Sequence, residues 1–417
     1  MNEKQNLRLK RNVGLDYVHT FLSNMNMQSS IWVLYLAYCG LHLAQIGLLE
    51  GIYHATSIVC EIPSGAAADL WGRKRCMILS NICIAVSCVI MLFSKSFGCF
   101  AVSFAVQALG NNLNSGSEEA LVYDSMKCLG QEEHYMGVYG RINVLIEVAQ
   151  GLATVAGGVL AEFSYFWCYT ACVVIAVLAL LPVLWMAEPP QCGEAADTAG
   201  EGVEDAAEGT PAQRTTRETV KHHFAVSACI LQKDVRIGKI IGFYSVVFAA
   251  HTLLFFYSQQ YFADLGYNKV QISVIMLLVG GASCLGALVS EKMYRWFGKK
   301  CLIPETVIIA GAILCYGAGK ADVAAAALMC AGFANAALYP IQSDSLNALI
   351  PSEQRATLIS VDSMCFSIAM IVLFPLAGAL ADRWGLKTVL LLLGVILLLF
   401  LLTVFCIEKE SFSSDHS

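Results

Sequence analysis

Long apolar runs, each of the roughly twenty residues a lipid bilayer requires of a helix, recur along this chain and constrain its fold more than any other feature. They lie near residues 14–37, 45–68, 75–93, 97–124, 136–161 and 164–186, and again near 237–262, 270–290, 301–318, 322–346, 355–380 and 386–406. Hydrophobic residues make up 57% of the chain and charged ones only 14%, against about 25% charged in a soluble domain. No water-soluble core could absorb that much apolar surface, so lipid must be the solvent for much of it. The runs predict an all-α membrane protein of about twelve transmembrane helices in two pseudo-symmetric six-helix bundles. Residues 190–236 differ in kind. They open with Gly, Ala, Glu, Asp and Thr in no apolar period and cannot bury enough surface to fold alone. This predicts an N-terminal bundle over 1–189, a flexible cytoplasmic linker over 190–236 and a C-terminal bundle over 237–417.

Charge sets the expected orientation. With the N-terminus inside, the inner loops outweigh the outer ones in Lys and Arg by about four to one, which places both termini and the linker in the cytoplasm of a plasma or inner membrane. The basic N-terminus leads into a polar-studded segment (Asp16, His19, Asn24, Asn26) with no small-residue cleavage site, so the first span is expected to be retained. The net charge of −6 and the lack of a basic run exclude nucleic acid as a partner. The 17 cysteines are scattered without a CxxC pair, and predict neither a metal site nor a cofactor.

The two halves repeat each other in register. Gly40, Gln45 and Ile46 match Gly266, Gln271 and Ile272 at an offset of 226, which also carries Gly72-Arg73-Lys74 onto Gly298-Lys299-Lys300. At an offset of 220, Asp124-Ser125 matches Asp344-Ser345, Gly158 matches Gly378, and Glu162 matches Asp382. Duplicated halves are a common construction of transporters, with the substrate held between them near the midplane.

Between the second and third spans stands Gly65-Ala66-Ala67-Ala68-Asp69-Leu70-Trp71-Gly72-Arg73-Lys74. It resembles the signature G-x-x-x-D-R-x-G-R-[KR] of the major facilitator superfamily, with Leu70 in place of the usual Arg. The resemblance covers essentially the whole chain. It implies the fold just described, a cavity lined by spans one, four, seven and ten, and a conformational latch at Gly65, Asp69, Gly72, Arg73 and Lys74. Gln107 sits where drug-exporting members often carry Arg. Gly151, Gly157 and Gly158 resemble the family's glycine-rich antiporter motif without its proline.

Polar residues inside the spans are the functional candidates, since an ionised side chain at the bilayer centre costs about 2.5–3.5 kcal/mol even on the lenient insertion scale. Helical spacing gathers Asp16, His19, Ser23, Asn26 and Ser30 on one face of span one, and Glu50, His54, Ser57 and Glu61 on one face of span two. Span four aligns Gln107, Asn111, Asn114 and Glu118, with Glu119 beside it, and span five Asn143, Glu147, Gln150 and Thr154. The second half offers Tyr244 and His251 in span seven, Asn335, Tyr339 and Gln342 in span ten, and Asp362 in span eleven. Asn26, Gln107, Asn111, Asn114, Tyr244, His251, Asn335 and Tyr339 are the expected substrate contacts. Glu118, Glu119, Glu147, His54 and Arg141 are the expected proton-coupling group, Arg141 pairing with one of the adjacent glutamates. Each stripe has a plainer reading as hydrogen-bonding glue between helices. Asp16 and Glu50, near opposite membrane surfaces, read equally as solvated residues.

No phosphate-binding G-x-x-x-x-G-K-[ST] loop occurs, nor a hydrolase or metalloprotease motif. The chain reads as no enzyme but a monomeric secondary transporter, with protons, a small-molecule substrate and membrane lipid as its partners. Efflux of amphiphilic, drug-like compounds is the first reading, on the span-five glycines and an aromatic wall of Tyr244, Phe248 and Phe255. Uptake of a small nutrient is the second, and a transport-inactive sensor or scaffold the third.

Overall fold

The computed structural model describes residues 3–190, 235–298, 302–347 and 355–414. Most of the expected linker, and the basic pair Lys299 and Lys300, lie outside the described residues. Every regular element among the described residues is helical. Apart from two short 3-10 turns, at Glu132–His134 and Tyr316–Ala318, these are in chain order α1 (Glu3–Ser23), α2 (Trp32–Tyr38), α3 (Leu43–Trp71), α4 (Arg73–Phe93), α5 (Phe97–Asn114), α6 (Ser117–Cys128), α7 (Tyr135–Phe163) and α8 (Tyr165–Trp185). Then follow α9 (Val235–Asp264), α10 (Lys269–Phe297), α11 (Leu302–Cys315), α12 (Ala321–Asn347), α13 (Arg355–Trp384) and α14 (Leu386–Ser414). Eight of them contain stretches long and apolar enough to cross a bilayer on length and composition, and the chain is an all-α, multi-pass membrane protein.

Two of the expected continuous spans are interrupted. Span one stops at Ser23 because its own side chains compete for the backbone. Ser23 Oγ and Asn24 Nδ2 both donate to the Thr20 carbonyl, at 3.2 and 2.9 Å, and the chain turns before α2 begins. Span four breaks at Ser115–Gly116. Gly116 adopts φ +76°, a left-handed conformation open to a residue without Cβ, and α6 starts afresh with Glu118 and Glu119 in its first turn. Carboxylates there complement the unpaired N–H groups and positive end of a helix.

The described chain divides into two units. The first holds Met1–Met27, Thr56–Ala153 and Phe166–Ala225; the second holds Gln28–Ala55, Thr154–Tyr165 and Val226–Ser417. In the first, Met77, Leu121, Val183 and Met186 form a fully buried cluster that joins α4, α6 and α8, with Leu15 of α1 against it. Ser103 Oγ donates to the Ser87 carbonyl at 2.9 Å and fastens α5 to α4. In the second, Ile237, Ile241, Leu346 and Val361 join α9, α12 and α13, and Ser258 Oγ lies 2.7 Å from Tyr316 Oη. Lipid tails are as apolar as leucine, so such close packing and interhelical hydrogen bonds, rather than expulsion of water, hold these helices together.

Candidate functional site

The first unit holds a buried polar cluster where α1 meets the break between α5 and α6. Glu118 is its hub. Its Oε1 accepts from Thr20 Oγ1 at 2.9 Å and lies 3.2 Å from His19 Nδ1. Its Oε2 accepts from Asn114 Nδ2 at 2.7 Å. On the far side of the imidazole, Asn81 Nδ2 of α4 stands 3.0 Å from His19 Nε2 and also donates to the Met77 carbonyl at 2.8 Å. That amide nitrogen can only donate, so Nε2 accepts and Nδ1 carries the proton that points at Glu118. His19 is therefore the neutral tautomer in this arrangement. A doubly protonated ring would turn an N–H onto the Asn81 amide hydrogens.

One turn down α1, Asp16 is wholly buried, and neither of its oxygens has a hydrogen-bond partner among the described residues. It lies close enough to Glu118 for their charges to interact. The reading of Asp16 as a solvated helix-start residue is thus corrected: α1 packs that face inward, toward α6. Glu50 is likewise buried rather than solvated. Asn12, a further turn down, is a structural clip. Its amide donates to Ser125 Oγ and to the Ala187 carbonyl, each at 2.8 Å, and its Oδ1 accepts the Ala187 N–H at 2.9 Å.

Of the expected proton-coupling group, only Glu118 enters this cluster. Glu119, exposed on the other side of α6, accepts a long hydrogen bond of 3.4 Å from Tyr139. Arg141 is exposed on α7 and forms no ion pair with either glutamate among the described residues. Glu147 is exposed on the same helix. Among the expected substrate contacts of this unit, Asn114 binds Glu118, Gln107 is half-buried on α5, and Asn111 and Asn26 are exposed, Asn26 in the turn after α1. Gln150 donates to Asn24 at 3.2 Å.

The signature segment closes α3 at Trp71 and opens α4 at Arg73. The Arg73 guanidinium pairs with the Asp124 carboxylate and donates to the Ala120 carbonyl at 2.6 Å, which ties α4 to α6. Glu188, just past α8, accepts the backbone N–H groups of Arg73 and Lys74 at 2.8 and 2.9 Å, while Lys74 Nζ donates to the Leu184 carbonyl at 2.9 Å. Gly65 lies within α3, and the side chain of Asp69 falls outside the described residues.

The second unit has its own polar groups. His54 Nε2 is 3.7 Å from Glu50 Oε1, and its Nδ1 is 3.2 Å from Ser367 Oγ of α13. The buried Gln342 donates to both oxygens of Asp362, at 3.0 and 3.2 Å. His251 Nε2 and Asn335 Oδ1 are buried without hydrogen-bond partners among the described residues. Tyr244 is buried against Phe243 and Phe248, whose ring lies 5.9 Å from the exposed Tyr339.

Thr20 and Asn81 are the members of the cluster that reasoning from sequence missed. Thr20 follows His19 directly, beside the polar stripe. Asn81 stands in the run Ser80-Asn81 within an otherwise apolar span, a signal that was there to read.

The model of the Major Facilitator Superfamily matches residues 18–361 and 306–415. The chain belongs to the Major Facilitator Superfamily. It is 22% identical over 379 residues, 90% of each chain, to the uncharacterized MFS-type transporter YxaM of Bacillus subtilis (strain 168). Among solved structures it resembles the nucleoside transporter NupG with a TM-score of 0.72 and 15% identity, covering 98% of this chain and 100% of that one. It resembles a D-xylose-proton symporter with a TM-score of 0.66 and 14% identity, over 96% and 97% of the two chains. These structural likenesses establish the fold. The protein is a membrane transporter by family and not an enzyme.

Proposed function

We propose that this protein is a proton-coupled importer of a small, polar, hydrogen-bonding solute, working by alternating access as a monomer with both termini in the cytoplasm. One observation carries this reading: Asp16, His19, Asn81, Asn114 and Glu118 converge at a helix break inside an apolar helical unit. Interrupted membrane helices are a recurrent way to present backbone and side-chain polar groups to a cargo. The buried carboxyl of Asp16 lies near the partly buried carboxyl of Glu118, which faces a neutral imidazole, and among the described residues no Lys or Arg is paired with either. A proton is the smallest cation able to balance one of them, and its uptake or release changes the bonds that Glu118 makes to α1 and α5.

Uptake is favoured over efflux for two reasons. The cluster is rich in hydrogen-bond donors and acceptors and suits a polar cargo better than an amphiphile. The glycines that suggested efflux have a packing explanation, since Gly158 abuts α10 at Ser273. The similar structures named above include a nucleoside transporter and a sugar–proton symporter, which points the search toward nucleosides and pentoses. A sensor or scaffold would have no need of a buried carboxyl such as Asp16, which has no hydrogen-bond partner among the described residues.

The test is purified protein in liposomes with an imposed pH gradient, acid outside, presented with labelled nucleosides, sugars and amino acids. One of these should accumulate only when the gradient is present. Accumulation that ignores the gradient would defeat proton coupling, and gradient-driven extrusion of amphiphiles alone would restore efflux.

A further inference from the structure

The internal repeat is realised at one place in the second unit as two copies of the same contact. At the end of α7, Glu162 Oε2 accepts the backbone N–H of Lys269, the first residue of α10, at 2.9 Å. At the end of α13, Asp382 Oδ1 and Oδ2 accept the backbone N–H groups of Leu43 and Ala44, the first residues of α3, at 3.0 and 2.9 Å. Glu162 and Asp382 are related by the offset of 220, and Leu43 and Lys269 by the offset of 226. The helix starts are built alike as well. Gln45 accepts the His42 N–H at 3.0 Å, and its repeat mate Gln271 accepts the Asn268 N–H at 3.0 Å.

One turn inward from each carboxylate the helices touch through a glycine. A Cβ on Gly158 would collide with Ser273 and the Lys269 carbonyl. A Cβ on Gly378 would collide with the Leu43 carbonyl and the Tyr257 hydroxyl. Gly158 and Gly378 are again related by the offset of 220. Each copy is therefore a glycine contact, which lets two helices meet backbone to backbone, topped by a carboxylate seated on the positive end of the partner helix.

We infer that Glu162 and Asp382 are a symmetry-related pair of positioning residues that latch this face shut, and that the face opens only when both helix starts are released together. On the orientation proposed above, with both termini in the cytoplasm, this face lies outside the cell. The inference rests on the alternating-access reading but on none of its proton chemistry. Two local caps with no shared motion would be the alternative.

Hydrogen–deuterium exchange of the full-length protein in lipid nanodiscs, without substrate or pH gradient, separates the two. The readout is the exchange rate of the Leu43, Ala44 and Lys269 amides. A lost carboxylate cap is worth about 1 kcal/mol, so Glu162→Ala should speed exchange about fivefold at Lys269. If the latches open as one, it should also speed exchange at Leu43 and Ala44 on the other helix, and Asp382→Ala should do the reverse. Gly158→Ala, which wedges the first contact while leaving both carboxylates intact, should have the same two-ended effect. Asp382→Asn, which keeps an acceptor and loses the charge, should fall between wild type and Asp382→Ala. Acceleration confined to the mutated latch, or at neither, overturns the inference. Because no cargo enters the measurement, a failed uptake assay would leave this result standing, and the converse holds too.

Discussion

Replacing Glu118 with glutamine removes one titratable group from the buried cluster and disturbs little else. The new Oε1 still accepts from Thr20 Oγ1 and His19 Nδ1, which now stand 2.9 and 3.2 Å away. The new amide nitrogen would face Asn114 Nδ2, a donor 2.7 Å from the present carboxylate oxygen. Asn114 resolves this by rotating its amide, because among the described residues its own Oδ1 has no partner to lose. What disappears is the charge-assisted part of three hydrogen bonds, about 1–2 kcal/mol of stability in all, so the fold should survive. The effect on transport is of another order. One proton moving down a gradient of one pH unit supplies about 1.4 kcal/mol, enough for about tenfold accumulation of a solute that moves with it. Glu118→Gln should bring that ratio to about one, while exchange of labelled for unlabelled solute across the membrane continues. The assay is paired in the same liposomes: accumulation under an imposed gradient, and counterflow without one. A variant that still accumulates solute about tenfold would show that Glu118 does not carry the proton. A variant that loses counterflow as well would show that it acts in holding the solute or the fold.

Three further outcomes follow from the same contacts. Asn81→Ala takes away the donor that holds His19 Nε2 as an acceptor, freeing the imidazole to change tautomer or take up a proton; the pH profile of uptake should move, and an unchanged profile would remove His19 from the coupling path. Arg73→Ala breaks the half-exposed pair with Asp124 and the bond to the Ala120 carbonyl, and should lower stability by about 1–2 kcal/mol; Arg73→Lys should recover only part of this, since an ammonium cannot copy the planar fork. Gly116→Ala meets no steric obstacle but must hold φ +76°, and should cost about 1–2 kcal/mol in thermal unfolding of the detergent-solubilised protein. A neutral result there would mean the break in span four relaxes to a continuous helix.

The polar stripes were legible because a helix brings residues three and four apart onto one face, so Asp16, His19 and Ser23, or Asn111, Asn114 and Glu118, align from spacing alone. What a stripe faces is not encoded locally. Thr20 and His19 find Glu118 across 98 and 99 residues, and Arg141, whose place along the chain suggests a mate for Glu118 or Glu119, forms no ion pair with either among the described residues. Distance along the chain carries no information about such meetings, because they depend on how helices pack. The breaks after Ser23 and at Gly116 were hidden for a related reason: hydropathy averages over about twenty residues and cannot see a single left-handed glycine or an asparagine that captures a carbonyl.

By itself, then, the sequence determined the solvent, the helical class, the family and the duplication. These are properties of composition, of period and of recurring order, and each is readable along one dimension. Tertiary structure alone decided that Asp16 is buried with no hydrogen-bond partner among the described residues, that Asn81 sets the tautomer of His19, and that the repeat mates Glu162 and Asp382 each sit on the start of another helix. Burial and hydrogen bonding are relations between segments, and they exist only once the helices have chosen their neighbours.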